Sequence, residues 1–483
     1  MRACRQPAVL EPGEKTIQLE DNRFDLGIHG GTVMLHAWNA QTSLARRILR
    51  VGREAPDQLE LITRRLGQGE GRLTIQDLAR ARPDLDRHVG RLEFRERFRR
   101  MLARRFGGWE IRQISSAADL EHSLSPLYAR ALVVRGQMAF AAIGIDESAD
   151  AAGSDHILSF GLIWLDHLRR RGRQSCPVEG LKLFVPQRRA AATAARLPLL
   201  DPAGGAFELF EFGRDNSTAG VGEQSTGNLA TALEPALAPY PVGRAAAEWI
   251  ARLQTRFGVE TVARADGVLS VRLRGLEFAR VSAAGMSWGF EEDHPVTPDT
   301  FQRVEKLAER LAAARSADPP DPQDWLHRAA PEKWLESLVR ARPEAIDSSL
   351  APEPIYSQVP ALAGVERGVI DLLACDRDGR LVVIELKASQ DLHLPLQGLD
   401  YWMRVKWHLD RSEFSRRGYF PGHELRNEPP RLLLVSPVFE FHPTTEIILQ
   451  FLSRQVEVER VGLGGQWRRE LKVVFRARGA ERP

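Results

Sequence analysis

The stretch "GVIDLLACDRDGRLVVIELKAS" (residues 368–389) decides how the C-terminal part of the chain is interpreted. Two apolar runs flank Asp378–Gly379, a dipeptide typical of hairpin turns. The second run has the composition of a buried strand, yet it ends in Glu385 and Lys387 on either side of Leu386. Buried charges are costly unless they are paired or bind a metal. We therefore expect a functional site at this end of the hairpin.

Pairing of the two strands should bring Asp371 and Glu385 to the same end of a sheet. Neighbouring carboxylates repel each other, and a divalent cation would let both stay ionised. Oxygen ligands without His or Cys select a hard ion such as Mg²⁺ or Mn²⁺. Residues two apart on a strand share a face. Lys387 should therefore lie beside Glu385, where it can orient or deprotonate a water or neutralise charge on a phosphate.

This pattern resembles the PD-(D/E)XK nuclease superfamily, in which an acidic helix precedes an Asp and then a Glu-x-Lys sequence. Downstream, "QGLDY" is similar to the QxxxY motif of RecB-like nucleases. The helix "PEKWLESLVRARPEAI" together with the hairpin is most similar to the branch that includes NucS/EndoMS-type mismatch endonucleases. The resemblance covers roughly residues 325–437, with Ile370 in place of the usual proline.

The resemblance implies that Asp371, Glu385 and the main-chain carbonyl of Leu386 bind the metal. Lys387 would serve the nucleophilic water. The implied fold of this part is a restriction-endonuclease-like mixed sheet flanked by helices.

Two helices complete the implied site. Glu332 and Glu336 lie one turn apart on the first helix, and one of them should complete the acidic set, with Glu332 slightly favoured. Gln397 and Tyr401, four apart on the second helix, would shape the pocket or contact the substrate backbone.

The function implied is a Mg²⁺- or Mn²⁺-dependent nuclease that hydrolyses phosphodiester bonds, most simply a DNA endonuclease in repair or defence. DNA is then the expected partner, and a homodimer is an expectation by analogy with nucleases that pair to cut two strands. One alternative is a catalytically idle nuclease-fold module that binds DNA or a protein. A second alternative keeps the enzyme but takes RNA as the substrate.

Patterning along the whole chain predicts an α/β protein of several parts. We expect a mixed N-terminal region at 1–83, an α/β domain at 84–214, a linker at 215–242, a small α+β domain at 243–324 and the nuclease-like domain at 325–483. Within the first region, two short strands are expected around Gly30–Gly31. The arginine-rich residues 43–66 are expected to be helical.

A weak internal parallel links residues 84–214 to the C-terminal part. The order of "MAFAAIGID", "SFGLIWLDHLRRR" and "VEGLKLFVP" repeats that of "RLVVIELKA", "LQGLDYWMRVKWHL" and "PRLLLVSPV". On this alignment Gly144 and Asp146 stand where Glu385 and Lys387 stand. The earlier block would therefore be a degenerate nuclease-like copy without chemistry.

Composition limits the class of protein. The formal charge of the 483-residue chain is only +3, so the whole molecule is not a polycation. Cys4, Cys176 and Cys375 lie too far apart for a disulfide framework or a zinc site, and we expect them to be packing residues. No apolar run approaches the roughly 20 residues of a membrane span, and no secretory signal is recognisable. We expect a cytoplasmic protein with no membrane partner.

Overall fold

The structure is a computed structural model. It describes residues 7–10, 17–18, 24–29, 32–38, 43–55, 58–64, 70–119, 121–171, 176–222, 231–236, 241–264, 267–290, 292–363 and 366–481. The chain divides into two compact units, Met1–Arg97 and Phe98–Pro483. The predicted finer boundaries stay predictions. Cys4, the turn at Gly30–Gly31 and part of the predicted linker lie outside the described residues.

The first unit contains a seven-stranded antiparallel sheet in the order β2-β1-β7-β6-β5-β4-β3. Its strands are β1 (Pro7–Leu10), β2 (Ile17–Gln18), β3 (Phe24–His29), β4 (Thr32–Trp38), β5 (Ser43–Ala55), β6 (Gln58–Arg64) and β7 (Glu70–Asp77). Helix α1 (Leu78–Arg105) follows β7. Leu35, Leu61 and Leu73 are among the buried core residues of this sheet. The two strands expected around Gly30–Gly31 are present as β3 and β4.

The prediction of a helix over residues 43–66 is wrong. These residues form β5 and β6, which pair antiparallel. In β6, Leu61 and Thr63 are buried while Arg64 is exposed. The apolar residues therefore fit a period of two on one face of a sheet. The abundance of arginine concealed that alternation.

The second unit begins with a six-stranded mixed sheet in the order β13-β12-β11-β10-β9-β8. Its strands are β8 (Glu110–Ser115), β9 (Tyr128–Arg135), β10 (Met138–Ile145), β11 (Val178–Pro186), β12 (Ala206–Phe212) and β13 (Thr218–Gly220). Helices α2 (Ala151–Asp155) and α3 (Ile157–Arg170) lie between β10 and β11 in the chain, and α4 (Ala191–Arg196) lies between β11 and β12. A two-residue strand, β14 (Ala232–Leu233), follows.

A small antiparallel sheet comes next, with its strands in sequence order. Its elements are α5 (Arg244–Phe257), β15 (Glu260–Ala263), β16 (Leu269–Leu273), β17 (Leu276–Ser282), β18 (Gly285–Trp288), β19 (His294–Pro295) and α6 (Phe301–Ala314). Leu253 of α5 and Leu311 of α6 share one buried core with Phe278 of β17. Both helices therefore contribute to a common core with the sheet.

The last sheet has seven strands in the order β14-β20-β21-β22-β23-β24-β25. Its elements are α7 (Trp325–Arg328), α8 (Pro331–Ala341), β20 (Tyr356–Ala363), β21 (Glu366–Cys375), β22 (Leu381–Leu386), α9 (Leu394–Leu409), α10 (Glu413–Arg416), β23 (Arg431–Pro437), α11 (Thr445–Leu449), β24 (Glu457–Leu463) and β25 (Val473–Arg478). Trp334 of α8 shares a core with Ile384 of β22, and Leu399 of α9 shares another with Val383. The two helices thus cover opposite faces of β22.

The prediction of an α/β protein is confirmed, since the second unit combines mixed parallel and antiparallel sheets with helices. Cys176 and Cys375 are buried, as expected of packing residues, and neither forms a disulfide with another described residue. In the described part of the chain, no helix is long and apolar enough to cross a membrane.

The six strands of the first sheet of the second unit and the strands β20 to β25 of its last sheet have the same order and the same pairing senses. From β8 to β13 the successive pairs are antiparallel, antiparallel, parallel, parallel and antiparallel. The pairs from β20 to β25 follow the same series. Helices α3 and α9 occupy the same place, between the third and fourth strands of each series. The internal parallel in the sequence therefore corresponds to a repeated arrangement of strands.

The predicted alignment of Gly144 with Glu385 is wrong by one residue. Ile143 and Leu183 are partners in parallel strands, as Glu385 and Leu434 are. A Cβ at Gly144 would lie 2.8 Å from Phe98, whereas Ile143 packs in the core beside α3. Gly144 therefore points to the face opposite to that of Ile143.

The corrected alignment places Ile143 and Ile145 at the positions of Glu385 and Lys387. The cross-strand partner of Ile143 is Arg130, which therefore stands where Asp371 stands. The conclusion that the earlier copy lacks the two acids and the lysine is unchanged.

Candidate functional site

The end of the β21–β22 hairpin brings Asp371 and Glu385 to neighbouring strands. The two strands are antiparallel with Leu372 opposite Ile384, so the next pair in register is Asp371 and Glu385. The main-chain N–H of Leu386 donates a hydrogen bond to Oδ2 of Asp371 at 3.0 Å. This bond fixes the Asp371 carboxylate at the end of β22, while the Leu386 side chain is buried in the core.

Glu385 is the most deeply buried acid of the site, with 2% of its surface exposed. Its Oε1 lies 3.3 Å from Nζ of Lys387, which shares its face of the strand. Its Oε2 is buried and has no hydrogen-bond partner among the residues that the structure describes. The carboxylate is therefore only half satisfied by the protein.

Electrostatics in this corner are dominated by negative charge. Burial, and then the charge of Asp371, raise the pKa of Glu385 well above its ordinary value. Burial by itself would lower the pKa of Lys387, but Glu385, Glu332 and Asp371 raise it above its ordinary value. The lysine is thus held as an ammonium group.

The two glutamates of α8 differ in burial and in ion pairing. Glu336 is 3% exposed and pairs with Nζ of Lys333 at 2.7 Å. Burial raises the pKa of Glu336, and Asp371 adds to that effect. Glu332 is partly exposed, and its charge raises the pKa of both Glu385 and Lys387. Both helix acids therefore interact electrostatically with the hairpin end.

Gln397 and Tyr401 lie one turn apart on α9, as predicted from their spacing. Burial, followed by the charges of Glu385 and Asp371, raises the pKa of Tyr401. Gln397 lines a cavity of about 160 Å³, and its Oε1 has no hydrogen-bond partner within the described ranges. Tyr401 therefore interacts electrostatically with Glu385 and Asp371, whereas Gln397 lines this cavity.

Sequence reasoning missed Asp391. Its Oδ2 lies 3.8 Å from Nζ of Lys387, and its Oδ1 accepts a hydrogen bond from the main-chain N–H of His393 at 2.7 Å. The local signal was available, since an Asp commonly accepts a hydrogen bond from the main chain two residues on, here from His393 at the N-cap of α9.

Arg272 was also missed, and no local signal could have revealed it. This buried residue of β16 interacts electrostatically with Glu336 of α8. This electrostatic interaction links the small antiparallel sheet to the acidic helix across more than sixty residues of chain. It arises from tertiary packing and leaves no pattern in either segment.

The donor set fits a hard divalent cation in part. Within the described residues, no three His, Cys, Asp or Glu side chains are grouped so as to hold a metal ion by themselves. However, Mg²⁺ is commonly bound by one or two carboxylates, with waters and substrate phosphate as the other ligands. Asp371 and Glu385 supply two carboxylates, and the unpartnered Oε2 of Glu385 is a free oxygen donor.

Comparison with known proteins finds that no family model matches this chain and that no curated protein matches it. The chemistry of the hairpin end is therefore the basis for any functional assignment.

Proposed function

We propose that the C-terminal part of the chain is a metal-dependent nuclease that hydrolyses phosphodiester bonds in DNA. The order of α8, three antiparallel strands, α9 and parallel strands supports a PD-(D/E)XK-like arrangement. The resemblance expects two acids and a lysine here, and two contacts support that assignment: the hydrogen bond from Leu386 N–H to Asp371 and the approach of Lys387 to Glu385.

One observation carries the proposal: the state of the Glu385 carboxylate. A buried carboxylate with an unpartnered oxygen and an acidic neighbour is destabilising unless something compensates it. A structural ion pair would satisfy both oxygens, as Arg431 and Arg476 do for Glu459. The unsatisfied carboxylate of Glu385 is better explained as a ligand awaiting a cation.

Each residue then has a defined task. Asp371, Glu385 and the carbonyl of Leu386 would hold Mg²⁺ or Mn²⁺, and the bound ion would activate water and stabilise the anionic transition state. Lys387, kept charged by its acidic neighbours, neutralises charge that builds on the phosphate. The attacking water releases a proton as its oxygen bonds to phosphorus, the bond from phosphorus to one sugar oxygen breaks, and that sugar oxygen takes up a proton.

Glu332 is the better candidate for the helix acid. Glu336 is already paired with Lys333 and is almost fully buried. Glu332 is more exposed, and its charge acts on Glu385 and Lys387 together.

The test is cleavage of labelled single-stranded, duplex, mismatched and branched DNA, with RNA as a further substrate, in the presence of Mn²⁺ or Mg²⁺. We expect the wild-type chain to cut DNA and Asp371→Ala or Lys387→Ala to lose cleavage by at least ~100-fold, as for loss of a transition-state contact. Exposed Lys472 provides the matched control, since Lys472→Ala should cut normally.

Circular dichroism should show the same fold for all variants. If the wild-type chain binds DNA without cleaving it, the domain is a catalytically idle binding module. If it cleaves RNA alone, the enzyme is a ribonuclease. Normal cleavage by Lys387→Ala would remove the proposal.

A further inference from the structure

The two halves of the second unit that share one strand order also contact each other through equivalent residues. His156 immediately precedes α3 and His393 immediately precedes α9. Their rings stack with centroids 3.7 Å apart and planes inclined by 11°. When a residue contacts its own equivalent, a twofold axis passes between them.

A second contact has the same symmetry. Leu200 and Leu452, which follow the equivalent helices α4 and α11, form an antiparallel bridge. The N–H of Asp201 donates to the carbonyl of Phe451, and the N–H of Ser453 donates to the carbonyl of Leu199, each at 2.8 Å. Exchange of the two segments leaves this pattern of bonds unchanged.

Side-chain hydrogen bonds also join the equivalent pairs of helices, α4 with α9 and α11 with α3, although the residue types differ. Arg196 at the end of α4 forms two hydrogen bonds to Asp400 of α9, at 2.8 and 2.6 Å. Gln450, just after α11, donates to Asp166 of α3 at 3.0 Å. Residues from both halves also form one continuous buried core. The halves therefore pack as the two subunits of an isologous dimer do, but within one chain.

The acids of the hairpin end are replaced at the equivalent positions of the other half. The equivalents of Asp371, Glu385 and Lys387 are Arg130, Ile143 and Ile145. Arg130 is almost fully buried, and its guanidinium donates to the carbonyl of Ser125, so it is part of the framework. The equivalent of Tyr401, the tyrosine of the QxxxY motif, is Trp164.

We propose that the chain is a built-in dimer with one cutting site, so that it nicks a single strand of duplex DNA and does not require a second copy. This inference rests on the proposed nuclease function and specifies its product. A symmetric pair of equipped sites would cut both strands, whereas the half with Arg130, Ile143 and Ile145 can only support the substrate.

The experiment is incubation of the full chain with supercoiled plasmid, with and without a single mismatch, in Mg²⁺ or Mn²⁺. We expect open-circular DNA to accumulate before linear DNA appears, at a rate proportional to protein concentration. Excess Glu385→Gln chain, added at saturating DNA, should leave the rate per wild-type chain unchanged.

The outcomes separate the two claims. Linear product that forms together with open circles, or a rate that rises with the square of protein concentration, would overturn the built-in dimer and keep the nuclease. If the plasmid stays fully supercoiled under every condition and the oligonucleotides are not cleaved, the proposed nuclease function itself is overturned.

Discussion

At the scale of single residues, the environment of Glu385 explains why a buried strand ends in charges. The protein supplies one ammonium group and one acidic neighbour, and the part of the chain that the structure describes gives Oε2 no hydrogen-bond partner. Charge at this position is costly in the folded state without a cation. The sequence was enough to single out the residues at the hairpin end as a candidate site, because charged Glu and Lys side chains are unexpected at the end of a buried apolar strand. The missing partner of Oε2 was not predictable, because it depends on what the fold leaves empty.

Replacement of Glu385 by Gln should stabilise the protein when divalent ions are removed by chelation. The pKa of Glu385 is raised on folding. The protonated carboxyl group therefore contributes fully to the free energy of unfolding below its ordinary pKa, and this contribution is lost as the pH rises through the raised pKa. At about pH 8 we expect Glu385→Gln to gain roughly 1–3 kcal/mol, the usual cost of an unsatisfied buried polar group. The gain should disappear near pH 4.

Thermal unfolding of both proteins at the two pH values measures this difference. Glu424→Gln, at an exposed position, is the control and should change little at either pH. An unchanged or lower stability of Glu385→Gln at the higher pH would contradict the account of the site.

At the scale of elements, helix α9 is seated against the sheet by a glycine. A Cβ at Gly398 would lie 2.8 Å from Leu434 and 3.2 Å from Leu432, both on β23. A Cβ at Gly161 of α3 would likewise lie 2.9 Å from Leu181 and 3.3 Å from Ile143 of its own sheet. Close approach of these helices is therefore a shared feature of the two halves.

Gly398→Ala should push α9 away from β23 and destabilise the protein by about 1–3 kcal/mol, the range for overpacking a core. Denaturant unfolding measures the loss, and cleavage should fall because Gln397 and Tyr401 move with the helix. Gly465→Ala is the matched control, since a Cβ there meets nothing within 4 Å. Equal stability of the two variants would show that α9 is not held by this contact.

The elements also show where sequence patterns suffice. The hairpin of β21 and β22 follows from two apolar runs and an Asp-Gly turn, and α9 follows from its length and composition. The face of β10 could not be predicted, because a strand that is apolar on both sides carries no alternation. The resulting slip placed Gly144 where Ile143 belongs, and only packing against α3 resolves it.

At the scale of the whole molecule, the sequence contained the order of the repeated elements but not their assembly. The stacked rings of His156 and His393 and the bridge of Leu200 to Leu452 join segments more than 200 residues apart. Such contacts depend on how two finished sheets pack, and neither segment marks them locally. Through this packing, the half that carries Asp371 and Glu385 and the half that carries Arg130 and Ile143 form one compact unit.

Isothermal titration calorimetry of the full chain with Mn²⁺ tests most directly whether Asp371 and Glu385 share one divalent cation. We predict one ion bound per chain, because Arg130 and Ile143 stand where a second pair of acids equivalent to Asp371 and Glu385 would be. We predict loss of that binding in Glu385→Gln. Absence of binding to the wild-type chain, or equal binding by the variant, would contradict the account.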